Sequence, residues 1–517
     1  MSILTAVAFT CLILLPVYLL INHQTPSLPL PPGPKGKPII GNLSDLPPPD
    51  TPEWQHWLEH KKRYGPITSV TILNQPIIIL HDVQIAIELL EKRSLKYSSR
   101  PQPVFVGEMI GWKDTLGMQP YNARFRAYRK AMHQVLGTKA LVSRFNTLQE
   151  LEARRLLRRM LEDPGEWVQH LKTEAGAIIL KIGYGYDINP HGRDKLVDLA
   201  DDSMETVSAV LNQMWFWCLF VWFSSFLLKY LPSWLPFSAQ RKSQFWRTQL
   251  LTTIETPYRM VREQMASGIA PPSYLSNLLQ EEDTKEEKTL TAEEEFTAKW
   301  TAGSLYIAGA DTTVSALRTF ILSMALNPAI QEKAQAELDT VLGPHTLPKL
   351  SDRDKLPYVN AIVKESLRWY PVAPMGIPHL CVEGDVYDGY RIPKGAIVMG
   401  NIWAITHDPN IYPHPEKFDP ERFLGENPQP DPSGWVFGFG RRVCPGRVLA
   451  DASVFVTVGM VLSAMGISLE KVEGEREEVR FTPGVVSHPV LAGLKVEARS
   501  ERHEGVIREV MRGKNED

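Results

Sequence analysis

Phe437-Gly438-Phe439-Gly440-Arg441-Arg442-Val443-Cys444-Pro445-Gly446 is the stretch on which the reading of this chain turns. A helical pattern follows it, from about Arg447 to Ala464. A cysteine with proline next to it therefore stands where a helix begins. Unpaired backbone N–H groups and the positive end of the helix dipole there favour a thiolate over a thiol. The glycines let the backbone come close to a flat ligand. Arg442 offers a fixed planar fork for an anionic group. A lone buried cysteine is more often a small core residue. Phe437, Gly440, Arg442, Cys444 and Gly446 together are different, because chance would produce that set in such a chain well under roughly one time in a thousand.

The segment resembles the haem-binding loop of the cytochrome P-450 superfamily, Phe-x-x-Gly-x-Arg-x-Cys-x-Gly, and every fixed position of that pattern is matched. The resemblance implies a mainly α fold with small β-sheets, an α+β architecture with one large catalytic domain. It implies haem b with Cys444 as the axial ligand, Phe437 beside the haem, and Arg442 near a haem propionate. A thiolate ligand pushes electron density onto iron and promotes O–O cleavage.

Three further motifs lie upstream of the loop. Thr291-Ala292-Glu293-Glu294 has the form of a capping box, and the helix it opens is expected to run to about Leu326, where Asn327-Pro328 ends it. Near its middle stands Ala308-Gly309-Ala310-Asp311-Thr312-Thr313, which looks like the oxygen-binding helix of the family. By that resemblance Ala308 and Gly309 border the haem, Gly309 opens a groove for O2, and Asp311 and Thr312 relay protons. Read as residues alone, the same stretch is a bent helix with two polar side chains satisfied internally.

Glu365-Ser366-Leu367-Arg368 puts an acid and a base on one helical face. The spacing alone says little, since Glu152 and Arg155 share it. With Pro420-Glu421-Arg422-Phe423 placed between it and the cysteine loop, it resembles the family's Glu-x-x-Arg and Pro-Glu-Arg-Phe pair. Glu365, Arg368 and Arg422 would then form a buried structural ion cluster. Tyr121 to His133 reads as a basic amphipathic helix. The family carries Trp-x-x-x-Arg there, both residues touching a propionate. This chain has Phe125 for the Trp, so that hydrogen bond is expected to be lost, while Arg129 remains. His379 matches a third position of propionate contact.

Ile67 to Leu80 alternates as a hairpin about Asn74-Gln75. The pattern turns helical from about Asp82 to Pro378. Val386 to Asn401 returns to strand with Asp388-Gly389 as a tight turn, and residues 478–498 read as strand again. At the N-terminus, Ile3 to Ile21 is uncharged and long enough to cross a bilayer. No basic residue precedes the run, whereas Lys35, Lys37, Lys61, Lys62 and Arg63 follow it, which leaves the bulk of the chain cytosolic. Four parts are expected: an anchor over 1–22, a proline-rich hinge over 23–45, the catalytic domain over 46–500, and a charged tail over 501–517, read as a frayed helix or as disorder. Val207 to Leu228 carries no charge and is crowded with Trp and Phe, as in a segment that dips into the membrane interface. A core helix or a true span are the other readings. The acidic run Glu281 to Glu287 reads as a solvated loop.

With 56 Lys and Arg against 59 Asp and Glu, the formal charge is −3, which gives no electrostatic case for nucleic acid. The four cysteines, Cys11, Cys218, Cys381 and Cys444, form no disulfide framework and fit a reducing compartment. No glycine-rich dinucleotide motif is present, so electrons come from outside. The resemblance implies an NADPH-cytochrome P-450 reductase as donor, with Arg441 at its docking face, on the endoplasmic reticulum membrane. Met375, Ile377, Val372 and Val486 suggest an apolar substrate, and the residue pattern looks most like fungal members that oxidise terpenoid, polyketide or alkaloid scaffolds. The rival readings are a haem-thiolate isomerase or dehydratase that does not use O2, against which Asp311 and Thr312 argue, and a non-catalytic haem-binding protein.

Overall fold

The computed structural model describes residues 28–48, 51–189, 192–212, 239–280, 288–469, 479–490 and 493–512. The proposed anchor over 3–21, most of the aromatic 207–228 segment, the acidic 281–287 run and the last five residues lie outside them.

Two tight turns organise the small sheets. Leu73 and Asn74 both take positive φ, 48° and 70°, between β1 (Ile67–Ile72) and β2 (Gln75–Leu80). That mirror-image geometry matches the twist of paired strands. The expected hairpin is present, with Leu73 buried although its backbone is left-handed. In the later half, β3 (His379–Leu380), β4 (Asp385–Tyr387), β5 (Tyr390–Ile392) and β6 (Ile397–Gly400) follow, and Asp388-Gly389 makes the same kind of turn between β4 and β5. The main sheet runs β1-β2-β6-β3, with β2 and β6 parallel. It thus joins the start of the domain to the segment that carries His379.

The helical body is built from α1 (Glu53–Tyr64), α2 (Ala123–Leu136), α3 (Asn146–Glu162), α4 (Trp167–Tyr184), α5 (Lys195–Asn212), α6 (Ala239–Ala266), α7 (Ala292–Leu326), α8 (Pro328–Leu342), α9 (Pro357–Trp369), α10 (Arg447–Ala464) and α11 (Glu501–Arg512). The chain closes through β7 (Met465–Leu469), β8 (Arg480–Phe481), β9 (Pro489–Val490) and β10 (Leu494–Ala498), with β10 paired to β7. Both halves of the Thr291–Glu294 capping box are made, and α7 ends at Leu326 before Pro328 opens α8.

α7 is 35 residues long and apolar on every side. Such a helix belongs in a core. Val314, Leu317 and Phe320 on α7 pack with Leu156 and Leu157 of α3, Leu171 of α4, Ile362 of α9 and Phe455 of α10. Among the described residues only α10 is by itself long and apolar enough to cross a membrane, and it is a core helix, 72% buried inside the protein.

From residue 28 on, the proline-rich segment is stitched to the sheet. The carbonyls of Pro29 and Pro32 accept from the amides of Arg391 and Ser69 at 2.8 Å. A Cβ on Gly33 would run into the Ser69 carbonyl, so glycine permits this approach. At the other end, residues 501–512 are a helix, one of the two expected forms, and it is packed onto the domain rather than frayed. Its charged face conceals a stripe, His503 and Ile507 at i and i+4, which turns inward. Ile507 is 2% exposed and belongs to the main core. Ile507→Ala is accordingly expected to lower stability by about 2–4 kcal/mol in urea unfolding of the full chain, whereas a frayed tail would give no change.

Candidate active site

Cys444 lies between a 3-10 turn, Gly440–Arg442, and the first turn of α10. Its amide donates to the Phe437 carbonyl at 2.8 Å and closes the loop. Gly440 has φ +51°, and a Cβ there would stand 2.7 Å from the Leu90 carbonyl oxygen. Only glycine lets the loop settle on that segment. Burial pushes the Cys444 thiol up, and the Gly446 amide, the Arg129 guanidinium and the Arg447 amide pull it down without prevailing. The helix-start argument names the right donors but omits the desolvation that opposes them. A cation bound at the sulfur would tip the balance towards the thiolate, since a coordinated thiol is deprotonated outright.

Beside the loop lie four basic side chains. Arg442 donates through Nε to the Ser98 carbonyl at 2.5 Å and through Nη2 to the Gln119 carbonyl at 2.6 Å. Arg100 donates through Nη1 to the carbonyls of Ile377 and Pro378, at 2.7 and 2.8 Å. His379 Nδ1 is 2.7 Å from the Tyr97 carbonyl, so this nitrogen carries the hydrogen. Arg129 donates to the Val443 carbonyl at 2.7 Å. Arg100, His379 and Arg442 are buried, Arg129 partly so. Among the described residues none of the four forms an ion pair with a carboxylate. Burial, with Arg129 next, brings Arg442 down to about 9, and burial and neighbouring arginines hold Arg100 and His379 well below their ordinary values. Unpaired buried cations cost several kcal/mol each. A ligand carrying carboxylates removes that cost.

Arg100 is the site residue that sequence reasoning missed. It stands in Ser98-Ser99-Arg100-Pro101, and only its burial distinguishes it from a surface arginine. Phe125 proves to have a task of its own. The Arg442 guanidinium lies 3.8 Å from its ring centroid, a cation–π contact that holds the fork in place where a hydrogen-bonding indole was expected.

Opposite these residues runs the middle of α7. Ala308 is exposed and Gly309 and Thr312 half-buried, although the helix is buried on either side of them. They therefore border an internal gap. Thr312 Oγ1 donates to the Ala308 carbonyl at 2.8 Å, the internal satisfaction open to a mid-helix Thr. A Cβ on Gly309 would meet Ile179 of α4 at 2.7 Å, so this glycine lets two helices close, and Ala308 is the neighbour that faces the gap. Asp311 is 3.1 Å from His488 Nε2. The Leu116 amide donates to Ser304 Oγ of the same helix at 3.0 Å, and the Ser487 amide to the Val372 carbonyl at 3.0 Å. Leu305, Met375 and Val486 are buried, whereas Ile377 is 38% exposed.

The sequence profile of the family described as Cytochrome P450 matches residues 31–496. The chain belongs to the cytochrome P450 family. It is 45% identical to cytochrome P450 monooxygenase ppsD of Aspergillus oryzae over 93% of this chain and 91% of that protein. It is 42% identical to cytochrome P450 monooxygenase CLM2 of Gibberella zeae over 96% of this chain and 94% of that one. To O-methylsterigmatocystin oxidoreductase of Aspergillus flavus it is 40% identical, over 93% and 90%. Cytochrome P450s hold haem b through an axial cysteine thiolate and act as O2-dependent monooxygenases, and this chain is a haem-thiolate monooxygenase. The residues present fit that cofactor: a half-buried cysteine at a helix start, a gap bordered by Ala308 of α7, and buried basic groups that have no carboxylate partner among the described residues.

Beneath the loop, the P450's expected ion cluster is fully formed. Arg368 donates to both oxygens of Glu365, at 2.7 and 2.8 Å, and Arg422 Nε reaches the same carboxylate at 3.1 Å. Glu365 and Arg368 are fully buried. The spare donors go to the carbonyls of Thr406, Lys417 and Pro413, and Glu365 accepts the Asp419 amide at 2.8 Å. Arg368→Leu removes the bidentate partner of buried Glu365, leaves it only Arg422 and the Asp419 amide, and is expected to cost about 3–5 kcal/mol in thermal or urea unfolding. Lys333→Ala, which removes the exposed pair with Glu421, is expected to cost under about 1 kcal/mol.

Proposed function

We propose that Cys444 is the axial ligand of the haem, with Phe437 and Ala308 bordering the ring, and that Arg100, Arg129, His379 and Arg442 hold its propionates. The observation that carries this is the set of buried, carboxylate-free basic groups packed around the one cysteine whose loop ends at a helix start. The haem, when bound, supplies the O2 chemistry by which one oxygen atom enters a substrate C–H bond and the other leaves as water.

Around it the chain's own residues position and protonate. The Glu365–Arg368–Arg422 cluster fixes the core under the loop. Asp311 holds a proton-exchanging carboxylate in α7, and Thr312, released from the Ala308 carbonyl, presents its hydroxyl to the gap. Leu305, Met375 and Val486 exclude water and favour an apolar substrate, since only such surface replaces water without loss. A fungal secondary metabolite of terpenoid, polyketide or alkaloid type fits, and a relative named for O-methylsterigmatocystin supports a scaffold of this kind. Electrons come from an NADPH-cytochrome P-450 reductase on the same membrane. Residues 3–21 anchor the chain in the endoplasmic reticulum and 207–228 rest in the interface, with the catalytic domain cytosolic.

Two measurements test the assignment. Cys444→Ala is expected to abolish the red-shifted Soret band of the ferrous–CO form, and a retained band would overturn the ligand assignment. Thr312→Ala is expected to raise hydrogen peroxide released per NADPH consumed severalfold, and unchanged coupling removes Thr312 from proton delivery.

A further inference from the structure

The loop before β9 is fastened to α7 at residues 311, 315 and 318, which lie on one helical face. Ser315 Oγ donates to the Ser487 carbonyl at 2.5 Å, and Arg318 Nη2 to the Pro489 carbonyl at 2.6 Å. His488 stands between these two clamps. Its own amide is held by Thr482 Oγ1 at 2.9 Å. With the backbone pinned on both sides, the imidazole has one place to go, and Nε2 lies 3.1 Å from Asp311 Oδ1. Arg318 also feels the Asp311 charge, while its guanidinium is committed to Pro489. His488 Nδ1 is buried and has no hydrogen-bond partner among the described residues.

The geometry points to His488 as the positioning residue for the Asp311 carboxylate. It holds the Asp311 carboxylate towards the C-terminal loop, while the neighbouring Thr312 hydroxyl turns to the Ala308 carbonyl. Nε2–H donates to Asp311 whether the ring is neutral or cationic, so the hold survives either state. The unpartnered Nδ1 leaves the ring a second face for water, away from the carboxylate. Asp311 thus meets the gap only by leaving His488, and the residue that sets its orientation comes from the C-terminal loop rather than from α7. This rests on the proton-delivery reading of Asp311 given above.

The test uses the full-length haem protein in phospholipid vesicles with an NADPH-cytochrome P-450 reductase and no added substrate. The variants are His488→Ala, His488→Gln, Asp311→Asn and the double variant Asp311→Asn with His488→Ala. The rate at which NADPH electrons reach water, taken from NADPH consumed less hydrogen peroxide released, is expected to fall on the order of tenfold in His488→Ala and in Asp311→Asn. It is expected to fall no further in the double variant and to recover to within about twofold of the original in His488→Gln, whose amide can donate to Asp311. Two measurements need no turnover. The unfolding midpoints of the four ferric proteins are expected to be non-additive, as for residues in contact. Binding of imidazole, read from its Soret shift, is expected to change less than about twofold, which shows the distal side intact. An unimpaired His488→Ala beside an impaired Asp311→Asn overturns the positioning role alone. An unimpaired Asp311→Asn overturns that role together with the proton-delivery reading.

Discussion

Positive charge buried without a carboxylate is the constraint around which the haem side of this protein is arranged. Arg100 and Arg442 carry that charge from separate stretches of chain, His379 joins them as a group that burial keeps from taking up a proton, and among the described residues backbone carbonyls are the acceptors that meet all three. Carbonyls satisfy donors but cancel no charge. Burial lowers the proton affinity of each group, and the neighbouring arginines lower it further. Under the proposed haem assignment a dianionic ligand seated among them would turn that cost into binding, and the fold brings the loop carrying Cys444, the start of β3 and the stretch around Arg100 to one place.

The Glu365 cluster shows the contrasting solution with the same residue type. Arg368 is buried as deeply as any arginine in the chain, yet Glu365 answers it through two hydrogen bonds and Arg422 completes the set. Nothing there awaits a ligand. The two environments separate a structural arginine from a ligand-binding one by a single criterion, the presence of an acid within reach. By that criterion Arg100 groups with Arg442 rather than with Arg368, although it lies in no recognisable pattern.

What sequence could reveal depended on whether the information was local. The Cys444 loop, the Thr291–Glu294 cap and the Asp388-Gly389 turn are each written within a few residues, because caps and turns are set by nearest neighbours. Glu365 and Arg422 were legible through family likeness, though their spacing alone carried little. Arg100 and His488 were not, since each acquires meaning from partners more than a hundred residues away. Phe125 was read as a deletion of a hydrogen bond, and its ring is instead a surface for Arg442. The final helix was hidden by its charges, which occupy the outer face while Ile507 occupies the inner one.

The middle of α7 joins these threads. A helix buried on all sides is a poor place for polar residues, and here Asp311, Thr312 and Ser315 stand within five positions of one another. Each finds a different remedy. Thr312 bonds back to its own helix, Ser315 captures a carbonyl of the C-terminal loop, and Asp311 meets a histidine from that loop. The first bond is intrahelical and can be exchanged at small cost, while the other two tie the helix to the end of the chain. The polar stripe is therefore rigid on its outer side and exchangeable on the side facing the gap, which is the asymmetry a proton-delivering helix needs.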